Sequence, residues 1–259
     1  MICLKSKIDE MGIQIVDHCN LNCKGCLNFC HEGQEPYFYT PERYERDLQR
    51  LTSLVTLGGI RIYGGEPLLH TELSRIITIS HNIVPDAELR LFTNGLLLRS
   101  MPETLTVVLR EHNVKVIWSV YPVFDDEAFA ATCKFLQTAG LAYQAERTDK
   151  FYACMRQEGD IEPEYSFARC NGRNCHVMQD GKISLCPAPM VAKIMTKFGF
   201  NNDISDGLLN IYDTALTGEQ VADFLRSPHS VCRFCTAPTY FSWHQQSGDA
   251  TLEDWFSNK

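Results

Sequence analysis

Three thiols lie within eight residues of one another in Cys19-Asn-Leu-Asn-Cys23-Lys-Gly-Cys26. Thiolates at this x3 and x2 spacing can wrap three irons of a [4Fe–4S] cubane and leave the fourth iron open. A tetrahedral zinc site needs a fourth ligand, which Cys30 or His31 would supply. A second motif, Gly64-Gly65-Glu66-Pro67, pairs two glycines that allow close backbone approach to a ligand with a carboxylate able to orient a cationic group. Farther on, Thr93-Asn94-Gly95 and Ser119 close two apolar runs. Polar residues at successive strand ends make one pocket. Cysteines cluster again at Cys170, Cys175 and Cys186, and at Cys232-Arg-Phe-Cys235.

These residues must be positioned by elements whose order is readable. The candidate strands are Ile13–Val16, Ile60–Tyr63, Glu88–Phe92, Val114–Val120 and Leu141–Glu146. Helical patterns alternate with them. In the first, Thr40 is placed as an N-cap, Pro41 takes the first helical position, and Tyr44, Leu48 and Leu51 share one face. Others run from about Thr71 to Asn82, Pro102 to Glu111 and Asp125 to Thr138. Such alternation predicts an α/β fold with a parallel sheet. About five to six units fall short of the eight of a closed barrel, so a partial TIM-like (β/α) barrel is expected over residues 1–150. The first cysteines and the Gly-Gly loop then follow the carboxyl ends of the first two strands, where sites are built in such folds.

Residues 151–259 read as a small cysteine-rich appendage with a coil-rich tail holding Trp243 and Trp255. Within it, Asp180-Gly181 between His176–Gln179 and Lys182–Leu185 signals a two-residue hairpin. That register pairs Gln179 with Lys182 and would set Cys175 opposite Cys186. Thr217–Arg226 reads as a short helix.

Composition narrows the partners. The chain of 259 residues carries 24 Lys+Arg against 32 Asp+Glu, a formal charge of −8. An acidic balance argues against nucleic acid as the main partner, because phosphate binding needs clustered cations. No apolar run approaches the ~18–20 residues of a membrane span. Met1–Lys7 lacks a secretory apolar stretch, so a cytoplasmic, reducing compartment is expected, where clustered thiols read as metal ligands before disulfides. The 12 cysteines are too few for a small disulfide scaffold.

The two motifs, in this order and about 40 residues apart, resemble the radical S-adenosylmethionine (radical SAM) superfamily. The resemblance implies that Cys19, Cys23 and Cys26 ligate a [4Fe–4S] cluster whose open iron is chelated by the amino and carboxylate groups of SAM. Gly64, Gly65 and Glu66, with Pro67 closing the loop, would receive the methionyl amine. Thr93, Asn94 and Ser119 would line the cofactor site, with Asn94 and Ser119 contacting ribose and carboxylate. Gly25 departs from the aromatic residue usual before the third cysteine. The distal cysteines resemble the twitch extension, the one-cluster relative of the SPASM domain. By that pattern Cys170, Cys186, Cys232 and Cys235 bind an auxiliary [4Fe–4S] cluster, whereas the hairpin register favours Cys175 over Cys170. Zinc remains the alternative there. Cys3, Cys30, Cys133 and Cys154 are left outside both groups.

The resemblance implies cleavage of SAM to a 5′-deoxyadenosyl radical that abstracts a substrate hydrogen. The layout is most similar to twitch-type radical SAM dehydrogenases acting on aminocyclitols and to twitch proteins near polysaccharide gene clusters. It implies oxidation of a carbinol on a small sugar or cyclitol-like molecule, with the auxiliary cluster accepting an electron and a flavodoxin- or ferredoxin-type reductant as partner. Epimerisation, with Cys30 or Cys154 as hydrogen donor, and modification of a ribosomally made peptide are alternatives. So is a zinc-stabilised binding protein, which leaves the Gly-Gly loop unexplained. Arg147 and His31 are candidate bases, although an arginine more often binds an oxygen than removes a proton. Trp118 and Tyr121 are candidate pocket walls.

Overall fold

The computed structural model describes residues 5–30, 32 and 36–257. Five strands of the first half lie side by side: β1 (Met11–Gln14), β2 (Gly59–Tyr63), β3 (Glu88–Thr93), β4 (Lys115–Val120) and β5 (Tyr143–Arg147). All adjacent pairs are parallel. Helices α1 (Pro41–Leu54), α2 (Leu73–Ile83), α3 (Glu103–Glu111) and α4 (Asp126–Thr138) make the crossovers. This is the expected α/β architecture.

Local rules account for most of these elements. In α1 the 3.6-residue spacing turns Tyr44, Leu48 and Leu51 fully inward, each apolar side chain contributing about 1.5–3 kcal/mol by leaving water. Thr40 is extended at the N-cap position, yet its side chain makes no capping bond. At α4 the cap is complete: the Asp125 carboxylate accepts from Ala128 N at 2.7 Å. The first strand ends two residues earlier than expected. Ile15 and Val16 leave the ladder to meet the returning segment, with Tyr39 N donating to Ile15 O and Val16 bridging Phe38.

The second half completes the same sheet. Strands β6 (Lys150–Met155), β7 (Val177–Gln179), β8 (Lys182–Ser184), β9 (Leu208–Asn210) and β10 (Cys235–Ser242) arise here, with α5 (Pro163–Arg169) and α6 (Gly218–Arg226) between them. The β7–β8 hairpin has the expected register, Gln179 opposite Lys182, and Asp180 and Gly181 turn with φ of 53° and 71°. Such a two-residue turn needs positive φ at both positions. Strand β7 lies parallel to β1, pairing Gly12 with Val177 and Ile13 with Met178. The sheet therefore runs β9-β8-β7-β1-β2-β3-β4-β5, and continues across residue 150.

Two hydrophobic cores result. One fills the space between this sheet and its helices. The other gathers Met155, Leu185, Met195, Phe200, Phe234, Trp255 and Phe256, and takes Phe29 from the cysteine loop. An antiparallel ribbon of β6 and β10 frames it. Among the described residues no helix is long and apolar enough to cross a membrane.

Candidate functional site

The first cysteine loop leaves the carboxyl end of β1 and is held by the loop after β2. Gly65 N donates to Val16 O at 2.8 Å, and Glu66 N to His18 O at 2.9 Å. A Cβ on Gly64 would stand 2.8 Å from Val16 Cγ1, and one on Gly65 would overlap the His18 carbonyl. The paired glycines thus admit the backbone of the cysteine loop itself. Asn28 closes the contact, donating to Gly64 O at 2.7 Å.

Glu66 is fully buried and accepts three hydrogen bonds, from Leu68 N, Thr93 Oγ1 and Asn94 N at 3.0, 2.7 and 2.8 Å. Burial raises its pKa to about 7 against the pull of those donors. This carboxylate fixes the end of β3. Asn94, so fixed, donates from Nδ2 to Cys19 Sγ at 3.4 Å and to Asn20 Oδ1 at 2.7 Å. Pro67 is buried as the first residue of a 3₁₀ turn capped by Glu66.

The donor set suits a thiolate-ligated cluster. Leu21 N points at Cys19 Sγ at 3.4 Å, and backbone N–H groups of Asn28, Phe29 and Cys30 point at the Cys26 sulfur. N–H groups aimed at sulfur stabilise thiolates and tune a cluster bound to them. Burial pushes Cys19 up to about 11 and Cys23 up to about 12, so these thiols stay protonated until a metal takes them. Cys30 is buried, its Sγ 3.9 Å from Cys26 Sγ. Among the described residues no three His, Cys, Asp or Glu side chains close around a single ion.

The carboxy-terminal tail crosses this loop. Lys24 N donates to His244 O at 3.1 Å, Gln246 N donates to Asn22 O at 2.7 Å, and Cys23 bridges Gln245 between them. Lys24 pairs with the buried Asp254 at 3.1 Å. Trp255 donates from Nε1 to Cys26 O at 2.8 Å and stacks on Phe29 with centroids 4.3 Å apart. The tail is therefore a strap with a buried anchor. Its passage also explains Gly25, where φ is 69° and a Cβ would meet Phe241 at 2.8 Å and Asp254 O at 2.6 Å.

The distal thiols come from five places. Cys154 lies in β6, Cys170 caps α5, Cys186 follows β8, Cys232 sits in the turn Ser230–Phe234, and Cys235 opens β10. Burial raises Cys186 to about 12 and Cys235 well above the usual thiol range. Cys154 and Cys170 add to both shifts as near neighbours. Cys170 also acts on Cys232 and Cys154. Cys175 lies beside Cys170 across Gly172, whose added Cβ would stand 3.8 and 3.7 Å from the two sulfurs, and faces Tyr63 and Tyr152. Sequence reasoning left Cys154 outside this group, because it stands alone in sequence, 16 residues before Cys170.

Other candidates lie elsewhere. Arg147 pairs with Asp126 at 3.0 Å, 62% exposed against 93%, and its guanidinium covers Phe129 of α4 at 4.9 Å. Trp118 is fully buried, packed on Phe124 and Phe129 and donating to Asn94 O at 3.2 Å, so it belongs to the core instead of a pocket wall. Ser119 is half-buried and neighbours Tyr121. Cys133 packs against the main core from α4. Cys3 and His31 lie outside the described residues.

Residues 13–120 match the sequence model of the Radical SAM superfamily. Among curated proteins, GTP 3′,8-cyclase of Sulfurimonas denitrificans is 29% identical over 104 residues, covering 38% of this chain and 31% of its own. The Microcystis aeruginosa protein of that name is 33% identical over 106 residues, covering 39% and 31%. This chain therefore aligns with about a third of those relatives' length. Among solved structures, BtrN in complex with AdoMet and 2-DOIA superposes with a TM-score of 0.53, covering 86% of this chain and 84% of that one at 17% identity. The latter likeness bears on the fold. The thiol loop, its glycine bracket and the strand ends that carry them all lie inside the segment that matches the Radical SAM superfamily model, residues 13–120.

Proposed function

We propose that the protein is a radical SAM dehydrogenase that oxidises a carbinol of a small sugar or cyclitol-like substrate. The observation that carries this reading is the second thiol group, in which Cys154, Cys170, Cys186, Cys232 and Cys235 come from separate elements and lie near enough to act on one another's titration. Cys19, Cys23 and Cys26 would hold the SAM-binding [4Fe–4S] cluster; Cys170, Cys186, Cys232 and Cys235 would hold an auxiliary one. With both groups bound, the first with SAM supplies a 5′-deoxyadenosyl radical for hydrogen abstraction and the second an acceptor for the electron left on carbon.

The chain's own residues then bind, orient and exclude water. Asn94, braced by Glu66 and Thr93, fixes Cys19. Gly64 and Gly65 seat the cysteine loop on the sheet. Tyr121 and Trp243, stacked at 5.3 Å, wall the thiols. The neighbourhood of Cys170 with Cys186, Cys232 and Cys235 supports Cys170 over Cys175 as the fourth ligand. Ser119 is kept as a cofactor contact. For Arg147, the exposed pair with Asp126 supports a surface role over that of a base. A flavodoxin- or ferredoxin-type protein would supply electrons.

A second reading rests on the relatives named GTP 3′,8-cyclase: a purine nucleotide as substrate and ring formation as outcome. Their likeness covers 38% and 39% of this chain, which leaves the rest of it to the first reading. Anaerobically purified protein should carry about eight iron, two [4Fe–4S] clusters, per chain. With SAM and dithionite it should form 5′-deoxyadenosine, faster with a panel of aminocyclitols and sugars, and yield a ketone. Stimulation by GTP alone would favour the second reading. Stoichiometric zinc in place of iron would overturn both.

A further inference from the structure

The tail that straps the first cysteine loop carries one polar group with nothing to bond. Trp243 follows β10, its backbone N donates to Asp149 O at 2.8 Å, and its ring stacks on Tyr121. Its indole Nε1 is buried and meets no hydrogen-bond partner among the described residues. A buried donor left unpaired is costly and uncommon. The tail sets its direction: Lys24–His244, Cys23–Gln245 and Asn22–Gln246 are successive contacts of one antiparallel run, which brings Trp243 beside the loop at Cys23. The indole N–H is turned toward the Cys23 thiol without reaching hydrogen-bond geometry.

We propose that Trp243 is a positioning residue for the SAM-binding cluster, donating its indole N–H to the Cys23 sulfur once that sulfur is an iron-bound thiolate. The inference rests on the cluster assignment made above for Cys19, Cys23 and Cys26. A neutral thiol is a weak acceptor and a thiolate a strong one. Hydrogen bonds to cluster sulfurs favour the more negative, reduced state and so raise the potential. The donor comes from the second half of the chain, over 200 residues from its acceptor. It therefore makes the electronics of the first cluster depend on the docking of the strap.

The test compares the full-length protein with Trp243→Phe, which keeps a ring against Tyr121 and removes the N–H. The readout is the midpoint potential of the cluster whose electron paramagnetic resonance signal changes on adding SAM. Electron–nuclear double resonance on protein with ¹⁵N-labelled tryptophan provides a second readout in the unsubstituted chain. We expect equal iron content, reduction of that cluster disfavoured about tenfold in Trp243→Phe, equivalent to about 59 mV for one electron, and a resolved ¹⁵N coupling. An unchanged potential, or no ¹⁵N coupling in the parent, overturns the inference and leaves the cluster assignment standing. A protein that binds no iron overturns both. Should Trp243→Phe fail to fold, the coupling in the parent decides alone.

Discussion

The two thiol groups are built in opposite ways. The first comes from one loop, Cys19 to Cys26, hung on the end of a single buried strand and clamped by Gly64–Glu66 on one side and the tail on the other. The second is assembled from a strand, a helix end, a hairpin end, a turn and another strand, spread from Cys154 to Cys235. A loop group keeps its spacing when its neighbours move. An assembled group exists only when the surrounding core is formed. The first should therefore tolerate loss of the second better than the reverse is true of the core around it.

The largest expected effect breaks the comparison outright. Changing Cys19, Cys23 and Cys26 together to alanine should abolish 5′-deoxyadenosine formation and leave about four iron per chain. Changing Cys186 and Cys235 should leave about four iron on the other site, and should also lower the thermal midpoint, since Cys186 packs against the second core. Equal thermal losses in the two variants would remove the distinction drawn here.

Next in size is Gly65→Ala. The new Cβ would overlap the His18 carbonyl, and crowding of a close-packed contact costs about 1–3 kcal/mol. Urea unfolding should show that loss, together with weaker iron binding at the first site only.

Glu66 gives a pH signature of similar size. Its pKa is about 7 in the fold, raised by burial above the unfolded value of about 4.3. Between those values the folded chain keeps a proton that the unfolded chain has released. The stabilisation is complete below the lower value and is lost as pH rises through the higher one, on the order of 3 kcal/mol in all. Glu66→Gln should flatten the stability profile between about pH 4 and 7, measured by urea titrations across that range. A profile with unchanged slope would remove Glu66 as its source.

Two finer substitutions sharpen the assembled site. Cys175→Ala should keep about eight iron per chain, and Cys170→Ala should lose the auxiliary cluster or convert it to a three-iron form visible by electron paramagnetic resonance. The smallest effect belongs to Arg147→Ala. Its pair with Asp126 is exposed on both sides, so stability should change by less than about 1 kcal/mol and iron content not at all.

Legibility in the sequence follows the same division. The four helices of the first half were readable because each buries a face of regular period, as Tyr44, Leu48 and Leu51 do in α1, and the five strands because short apolar runs alternate with them. The hairpin was readable because Asp180-Gly181 has turn chemistry of its own. The ribbon of β6 and β10 was not. Its two strands are 80 residues apart in number, and in β10 the run from Ala237 to Tyr240 is exposed throughout, so no alternation of burial marks that strand. Trp255 stands among polar neighbours in sequence, and the fold buries it on Phe29.

What the amino-acid sequence by itself determined is the grouping of the first three thiols, because the x3 and x2 spacing confines them to one loop whatever surrounds it. The tertiary structure alone decided the rest. It made the paired glycines a seat for the cysteine loop and Glu66 a bracket for Asn94. It also brought Cys154 to the distal thiols and set Trp243 against Cys23. Each of these is a contact between segments tens to hundreds of residues apart, and such contacts arise from how buried surfaces fit, which local spacing does not encode.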